Sequence, residues 1–297
     1  MEGIYYTRAK AKLNLMLSIR GVRDDGYHDI ISIFDQVDLF DELWVVLSGD
    51  SISVEIMSKD IAITEAENLV AKAIGAFFGK FAKTIGVSVK LLKKIPIGSG
   101  LGGGSSDAAA ILRILYEILR KPFSSDELLE VASSIGGDVP FFLVPGCREI
   151  GGKGNVLGKE VDFSEGAYLI IVPSCMISTS EAYALYDHAL AHDASIEKIT
   201  RSHYDGKTLF NNDFEAIIFP RYNDINICKK YLMNAGAVNT AMTGSGAAVF
   251  GLFPSYPEAI EAFKKINKLN FKELQSPPRN LFLVTSSRRS FPVVRLG

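Results

Sequence analysis

A run of glycines and serines is the stretch of this chain best suited to bind a phosphate. Five glycines occupy seven positions from Gly98 to Gly104, and an apolar pattern with helical spacing runs from Ala108 to Arg120. Ser105 to Asp107, between them, favour a helix start. A loop that leads into a helix N-terminus presents unpaired N–H groups and the positive end of the helix dipole. The predicted phosphate-binding residues of this glycine loop (residues 96–106) are Pro96, Gly98, Gly100, Leu101, Gly102, Gly103, Gly104, Ser105 and Ser106.

Three familiar nucleotide motifs fit the glycine loop less well. Gly98, Gly100 and Gly103 satisfy the dinucleotide pattern G-x-G-x-x-G, but the strand before them is rich in lysine instead of being an apolar run. No Lys-Ser or Lys-Thr pair follows the glycines, as a P-loop requires. The H-R-D and D-F-G sequences of protein kinases are absent. The serine hydroxyls are therefore the side chains left to contact a phosphate or a Mg²⁺ ion carried by it.

Side chains that could act on a bound phosphate lie far from the loop in the sequence. Strict alternation from Ala9 to Ile19 predicts a half-buried strand with Lys10, Lys12 and Asn14 on its polar face. Spacing alone does not choose between the two lysines. Asp138 stands between a glycine turn and an apolar run, where it serves either as a turn cap or as a general base. A second glycine turn, residues 243–246, is either a tight strand turn or another anion nest.

Strands and helices that alternate in both halves of the chain predict an α+β or α/β architecture. Predicted strands cover residues 9–19, 31–37, 43–47, 52–56, 87–91, 168–172 and 247–253. Capping boxes at residues 64–67 and 124–127 predict two helix starts, and further helices are predicted at 180–191, 224–235 and 256–268. The stretch 145–155 contains four glycines and is predicted to be a loop. A domain boundary after it divides the chain into residues 1–156 and 157–297.

Composition narrows the class of protein. The chain has 47% hydrophobic and 22% charged residues, as expected of a soluble globular protein. A net charge of −2 argues against a nucleic-acid-binding surface. Three widely spaced cysteines favour a reducing cytoplasm, and no stretch has the length of a membrane span. The expected partner is a small molecule, and the expected state is a monomer or weak homodimer.

Motifs in three parts of the chain together resemble the GHMP small-molecule kinases. They are Ala11-Lys12-Leu13-Asn14-Leu15, Pro96-x-x-x-Gly100-Leu101-Gly102-Gly103-Gly104-Ser105-Ser106 and Thr243-Gly244-Ser245-Gly246. Two others, Asp25-Gly26-Tyr27-His28 and Gly137-Asp138-Val139-Pro140, resemble the branch whose substrate is a cytidyl diphosphate alcohol. The resemblance implies a domain like ribosomal protein S5 domain 2 followed by a ferredoxin-like domain. It also implies ATP-dependent phosphorylation of the 2-hydroxyl of that alcohol, with Mg²⁺, in non-mevalonate isoprenoid precursor synthesis.

The same resemblance implies roles for individual residues. Asp138 would be the catalytic base, and Lys12 would lie near the reacting hydroxyl and the γ-phosphate. Asn68 and Lys94 would lie near the adenine. The residues implied at the substrate are Asn14, Tyr27, His28, Thr179, Tyr183, Thr243, Gly244 and Ser245, with Tyr27, His28 and Tyr183 around the cytosine. No protein ligand of the metal is implied.

Three features depart from the family pattern. Asp107 replaces an Asn found in many relatives, and both residue types can cap a helix. Gly152-Lys153-Gly154-Asn155 replaces an expected Gly-x-Gly-Glu. The segment after residue 288 matches nothing and is predicted to be a tail without a role.

Other functions stay open for this chain. It could be a GHMP kinase or decarboxylase acting on a substrate such as homoserine or a mevalonate phosphate, an inactive nucleotide-binding regulator, or a nicotinamide dehydrogenase.

Overall fold

The strands of the chain form two sheets. The computed structural model describes residues 3–49, 51–58, 68–81, 85–163, 166–192 and 209–296. The first sheet contains β1 (Ile4–Val22), β2 (His28–Leu47), β3 (Ile52–Met57), β4 (Val87–Leu92), β5 (Cys147–Gly151), β6 (Val156–Glu160), β8 (Asn211–Asn212) and β12 (Val294–Leu296). The second contains β7 (Ala167–Val172), β9 (Asn239–Met242), β10 (Val249–Phe253) and β11 (Asn280–Thr285). The described helices are α1 (Leu69–Phe81), α2 (Gly103–Ile118), α3 (Ser125–Ile135), α4 (Thr179–His192), α5 (Glu215–Ile218), α6 (Asn223–Asn234) and α7 (Tyr256–Asn267).

The first sheet is built on one long hairpin. β1 and β2 pair antiparallel, and the strand order is β12-β1-β2-β4-β3, with β5 also on β2. The β1–β2 register shifts between Lys10 and Ala11. A bulge of this kind re-aims the side chains beyond it: Ala9 packs in the core with α1, α2 and α3, whereas Ala11 packs in a core shared with the second sheet. Lys10 and Lys12 therefore occupy different surroundings.

The prediction that β1 is half-buried is wrong. Lys12 and Asn14, on its polar side, are only 3% and 1% exposed. The glycine loop bonds to this strand, the second sheet packs against it, and the segment that follows β11 covers Lys10. A polar residue buried in this way needs a partner, so the polar side of β1 is a candidate for function.

The helix after the glycine loop begins earlier than predicted. α2 starts at Gly103, directly after Gly102 with a left-handed φ of 73°. Ser105 and Ser106 therefore lie in the helix. Asp107 does not cap it, because its carboxylate is buried and accepts from the Lys93 ammonium at 2.6 Å. The end of the glycine loop is thus itself the first turn of the helix.

Three other predictions need correction. The strands predicted at 31–37 and 43–47 are parts of one strand, β2. The stretch 145–155, predicted to be a loop, contains β5. The segment after residue 288, predicted to be a tail without a role, completes the edge of the first sheet, because β12 pairs with β1. The predicted boundary after residue 156 falls at the start of β6 and stays a prediction.

The second sheet belongs to a βαββαβ unit, the ferredoxin-like arrangement. Its strand order is β11-β7-β10-β9, all antiparallel, and α6 and α7 pack on it. The predicted α+β class is therefore confirmed. Ser124 forms the predicted capping box with Glu127, while the one predicted at 64–67 lies outside the described residues. None of the described helices has the length and apolar composition needed to cross a membrane.

Candidate active site

Most of the predicted site residues line one cleft of about 1100 Å³. The glycine loop, β1, the turn at residues 243–246 and α4 contribute to its walls. The predicted residues that line it are Lys12, Asn14, Tyr27, His28, Asn68, Pro96, Gly98, Gly100, Leu101, Gly102, Gly103, Gly104, Ser105, Asp138, Thr179, Tyr183, Gly244 and Ser245. Lys94, Ser106 and Thr243 were also predicted, but they do not line the cleft.

Main-chain hydrogen bonds hold the glycine loop from two sides. The N–H of Lys12 on β1 donates to the carbonyl of Leu101 at 3.0 Å. The N–H of Ala248, before β10, donates to the carbonyl of Ser99 at 3.1 Å. Because both bonds use backbone atoms, the position of the loop is set by the two sheets and does not depend on flexible side chains.

The first turn of α2 is the structural basis of an anion site. The N–H groups of residues 103–105 have no partner inside the helix, and they lie at the positive end of its dipole. A Cβ on Gly102 would lie 2.9 Å from the Phe142 ring, so this approach of loop to core requires glycine. The cleft wall therefore presents backbone donors where a phosphate can bind.

The two serines of the loop face different directions. Ser105 lines the cleft, whereas Ser106 is buried behind the helix, beside a small separate cavity with Lys10 and Arg113. Successive helical residues point about 100° apart. Since both serines are helical, only Ser105 can reach a ligand in the cleft.

Lys12 and Asp138 meet across the cleft wall. The Lys12 Nζ lies 3.7 Å from Asp138 Oδ2 and 4.7 Å from the centre of the Phe34 ring, and it donates to Asn14 Oδ1. Burial lowers the pKa of Lys12, an effect that the Asp138 carboxylate opposes. Asp138 itself is about one-third exposed. The buried Lys12 ammonium and the accessible Asp138 carboxylate thus lie next to each other beside the anion site.

A hydrogen-bond network fixes Asn14 next to this pair. Its Nδ2 donates to Ser32 Oγ at 3.0 Å, and its Oδ1 accepts from Thr243 Oγ1 at 3.0 Å. Asn212 donates to the carbonyls of Met242 and Gly244 at 2.7 and 2.8 Å, which holds the second glycine turn. Thr243 is fully buried, so it supports Asn14 from behind. The sequence pattern did not identify Ser32 or Asn212.

The aromatic residues predicted at a cytosine form part of the cleft. Tyr183 stacks on the His28 ring, with centroids 4.3 Å apart and an interplanar angle of 21°. The exposed Tyr27 lies under the Lys153 ammonium, 4.4 Å from the ring centre. Asp187 Oδ1 is 2.7 Å from His28 Nε2. Lys153 and Asp187 both line the cleft, and neither was among the predicted site residues.

The cleft around Asn68 contains a different lysine from the predicted one. Asn68 Oδ1 accepts from the N–H of Val70 at 3.0 Å and caps α1. Lys94 is turned outward, where its ammonium pairs with Glu42 at 2.6 Å. Lys93, one residue earlier, lines the cleft. Both lysines follow the end of β4 at Leu92, and of the two only Lys93 lines the cleft.

Lys93 belongs to a buried charge cluster beneath the glycine loop. Its ammonium contacts the carboxylates of Asp41 and Asp107, and all three side chains are less than 10% exposed. Burial raises the pKa of Asp107 well above its usual range, and the Lys93 charge opposes this. Asp41 Oδ1 also accepts from the N–H of Ile95 at 2.8 Å. The cluster therefore ties the strand before the loop to the helix after it.

Comparison with known proteins accounts for this arrangement. Residues 68–146 match the model of the GHMP kinases N terminal domain, and residues 189–272 match that of the GHMP kinases C terminal domain. The chain is 37% identical to 4-diphosphocytidyl-2-C-methyl-D-erythritol kinase of Thermodesulfovibrio yellowstonii over 86% of its length and 92% of the relative's. It is 36% identical to the enzyme of that name from Caldicellulosiruptor saccharolyticus, over 90% and 94%. The chain belongs to this kinase family.

Solved structures agree with membership of the kinase family. The chain matches a crystal structure of 4-(cytidine 5'-diphospho)-2C-methyl-D-erythritol kinase with a TM-score of 0.74 and 27% identity, covering 95% of this chain and 99% of the other. It also matches homoserine kinase from Cytophaga hutchinsonii with a TM-score of 0.72 but 18% identity, covering 99% and 98%. The second likeness shows the shared fold alone. The two-domain GHMP kinase fold predicted from the motifs is thereby confirmed.

Proposed function

We propose that the chain transfers the γ-phosphoryl group of ATP to the 2-hydroxyl of 4-diphosphocytidyl-2-C-methyl-D-erythritol, which yields the 2-phosphate and ADP. The observation that carries this proposal is the Lys12–Asp138 pair, which lies in one cleft with the first turn of α2 and the His28–Tyr183 stack. The names of the relatives supply the substrate.

The first turn of α2 would bind the phosphates of ATP. The N–H groups of residues 103–105 and the helix dipole favour negative charge there. Ser105 adds a hydroxyl to this site. The adenosine end of ATP is assigned to the part of the cleft around Asn68 and Lys93. Lys94 is left out of this assignment because its ammonium pairs with Glu42 outside the cleft.

Asp138 would act as general base. In the reaction the substrate's 2-oxygen bonds to the γ-phosphorus while the bond from that phosphorus to the β,γ-bridging oxygen breaks. The hydroxyl proton passes to the Asp138 carboxylate, and ADP leaves. A base at hydrogen-bond distance is typically worth about 10²–10⁴-fold in rate. Lys12 would stabilise the charge that develops on the attacking oxygen and the transferred phosphoryl group.

A Mg²⁺ ion fits the oxygen donors of this site. Among the described residues no group of three or more His, Cys, Asp or Glu could hold a metal alone. Magnesium commonly binds through one or two protein oxygens together with substrate phosphates, and Ser105 provides such an oxygen in the cleft. When bound, the ion would neutralise phosphate charge.

The cytidyl end of the substrate would lie against Tyr27, His28 and Tyr183, with Thr179 beside them. Thr179 Oγ1 is 3.2 Å from Ser245 Oγ, which connects α4 to the second glycine turn. Asn14, Gly244 and Ser245 would contact the alcohol near the reacting hydroxyl, and Thr243 would support Asn14. All three cysteines are free thiols, which is consistent with the proposal that the enzyme acts in a reducing cytoplasm.

The test is ATP consumption by the purified chain with 4-diphosphocytidyl-2-C-methyl-D-erythritol as acceptor. Turnover should depend on this acceptor. Homoserine and a mevalonate phosphate serve as control acceptors, since other GHMP kinases act on such substrates. Equal turnover with and without the acceptor would reject the proposed substrate. Preference for a control acceptor would reassign the chain to another branch of the GHMP kinases.

A further inference from the structure

His28 is held from two directions by one turn of α4. Its ring is stacked on Tyr183, and its Nε2 lies 2.7 Å from Asp187 Oδ1. Tyr183 and Asp187 are four residues apart, so they lie on the same face of the helix. The His28 side chain is only 7% exposed. The plane of the imidazole is therefore fixed before any ligand binds, and its Nε2 edge is fixed towards Asp187.

The contact with Asp187 also decides which ring nitrogen carries the proton. An ionised carboxylate can only accept hydrogen bonds. Nε2 must therefore donate, and in the neutral imidazole Nδ1 is then left with a lone pair. No residue in the described part of the chain bonds to Nδ1, and His28 lines the cleft. The ring therefore keeps one hydrogen-bond acceptor that a ligand in the cleft can use.

We infer that Asp187 is a positioning residue that makes the site select cytosine over uracil by fixing His28 with Nδ1 as an acceptor. The inference rests on the proposed function. Cytosine presents an amino group at position 4, which can donate to Nδ1, whereas uracil presents a carbonyl oxygen there. Two facing lone pairs repel each other, so uracil leaves both polar atoms unpaired.

Asn in place of Asp187 separates this role from a merely structural one. An amide can accept from Nε2–H through its oxygen or donate to Nε2 through its nitrogen. Both tautomers of His28 then become available, and the second presents Nδ1–H to a uracil carbonyl. Asp187 is about half exposed, so the substitution should leave the fold intact.

The experiment measures binding of CDP and UDP to the full chain by calorimetry, at about pH 8.5, where ordinary imidazoles are neutral. A non-hydrolysable ATP analogue saturates the ATP site throughout. The wild type should prefer CDP by about 10- to 100-fold. In Asp187→Asn this ratio should fall by about tenfold, with UDP binding improved or unchanged. Asp187→Glu keeps the carboxylate and should keep the ratio.

Glu181→Gln is the matched control, because it removes the same charge from the same helix. Glu181 bonds to Tyr222 and does not line the cleft, so its loss should leave the ratio unchanged. Imidazole ¹⁵N shifts of the four histidines provide a second readout: His28 should have a protonated Nε2 in the wild type and mixed tautomers in Asp187→Asn.

Two results would overturn the inference. If CDP and UDP weaken equally in Asp187→Asn, Asp187 only supports the cleft. If the His28 tautomer is unchanged, the carboxylate does not determine it. A wild type that binds neither CDP nor UDP would instead contradict the proposed cytidyl substrate, and with it the role of Asp187.

Discussion

Two lysines on β1, two residues apart, have very different surroundings. Lys12 Nζ lies in the cleft beside Asp138 and Asn14. Lys10 Nζ donates to Ser287 Oγ at 2.6 Å, outside the cleft, and burial together with the Arg113 charge lowers the pKa of Lys10 to about 8. The register shift between Lys10 and Ala11 separates them. Of these two lysines, only Lys12 lies where it can reach a phosphate at the first turn of α2.

Matched substitutions of the two lysines should therefore affect different properties of the protein, catalysis for Lys12 and stability for Lys10. Lys12→Met keeps the length of the side chain but removes the charge, and kcat should fall by about 10²–10³-fold. Lys10→Met should change kcat by less than about threefold and act on stability instead. Steady-state kinetics and urea unfolding of both variants provide the measurements. A larger loss of kcat in Lys10→Met than in Lys12→Met would reverse the assignment.

Asp138→Asn tests the base directly. The amide has nearly the shape of the carboxylate but cannot take the hydroxyl proton, so we expect kcat to fall by about 10²–10⁴-fold. The side chain is about one-third exposed and pairs only with Lys12 among the described residues, so the unfolding midpoint should change little. Rapid-quench turnover and thermal unfolding check the two expectations. Near-normal turnover in a folded variant would rule out Asp138 as the base.

The two glycine turns pack closely against each other beside the cleft. Gly100 has a left-handed φ of 80°, and a Cβ there would lie 2.3 Å from the carbonyl oxygen of Thr243. Backbone atoms cannot move aside as a flexible side chain can. Glycine at this position therefore allows the glycine loop and the turn at residues 243–246 to pack together.

Gly100→Ala should disturb binding and folding together. We expect the free energy of unfolding to fall by more than about 2 kcal/mol and the KM for ATP to rise by at least about tenfold, since the loop must move. Gly75→Ala in α1 is the control, because a Cβ there meets open space and alanine favours a helix. Urea unfolding and ATP kinetics compare the two variants. Similar behaviour of both would contradict the packing argument.

At the level of elements, local patterns predicted which types of residue occur near the site better than they predicted which side chains point into the cleft. Glycines followed by a helix start predicted the phosphate site at the beginning of α2, whereas Lys12 and Asp138 were chosen by the resemblance to the GHMP kinases. The resemblance also placed Lys94 near the adenine, whereas Lys93, one residue earlier, lines the cleft. It did not find Asp187, which lies 159 residues from His28. Such pairings depend on how the sheets and α4 pack, which no local pattern encodes.

Across the whole molecule, the two sheets share one apolar core. Leu13 and Val37 of the first sheet pack with Tyr168 and Phe250 of the second. The last strand also connects the two sheets, because the chain passes from β11 in the second sheet back to the first sheet, where β12 pairs with β1. The cleft lies where these parts meet, so the arrangement of its residues depends on the complete chain.

One buried carboxylate connects the two sheets. Asp35 on β2 is fully buried, and it accepts from the Tyr168 hydroxyl of β7 at 3.2 Å and from Ser286, just after β11, at 2.8 Å. Burial raises the pKa of Asp35 to about 6, although these two hydrogen bonds lower it in part. The folded protein therefore keeps this group protonated at pH values where the unfolded chain has released the proton.

Asp35 should therefore give the whole molecule a pH-dependent stability. A raised pKa contributes stability that is fully present below about pH 4 and is lost as the pH rises through about 6, by up to about 3 kcal/mol. Asp35→Asn does not titrate, so the difference in unfolding free energy between wild type and variant should decrease over this range. Urea unfolding from about pH 4 to 8 measures it, with Asp38→Asn, exposed on the same strand, as control. A difference independent of pH for Asp35→Asn would show that the carboxyl ionises in the folded protein as it does in the unfolded chain.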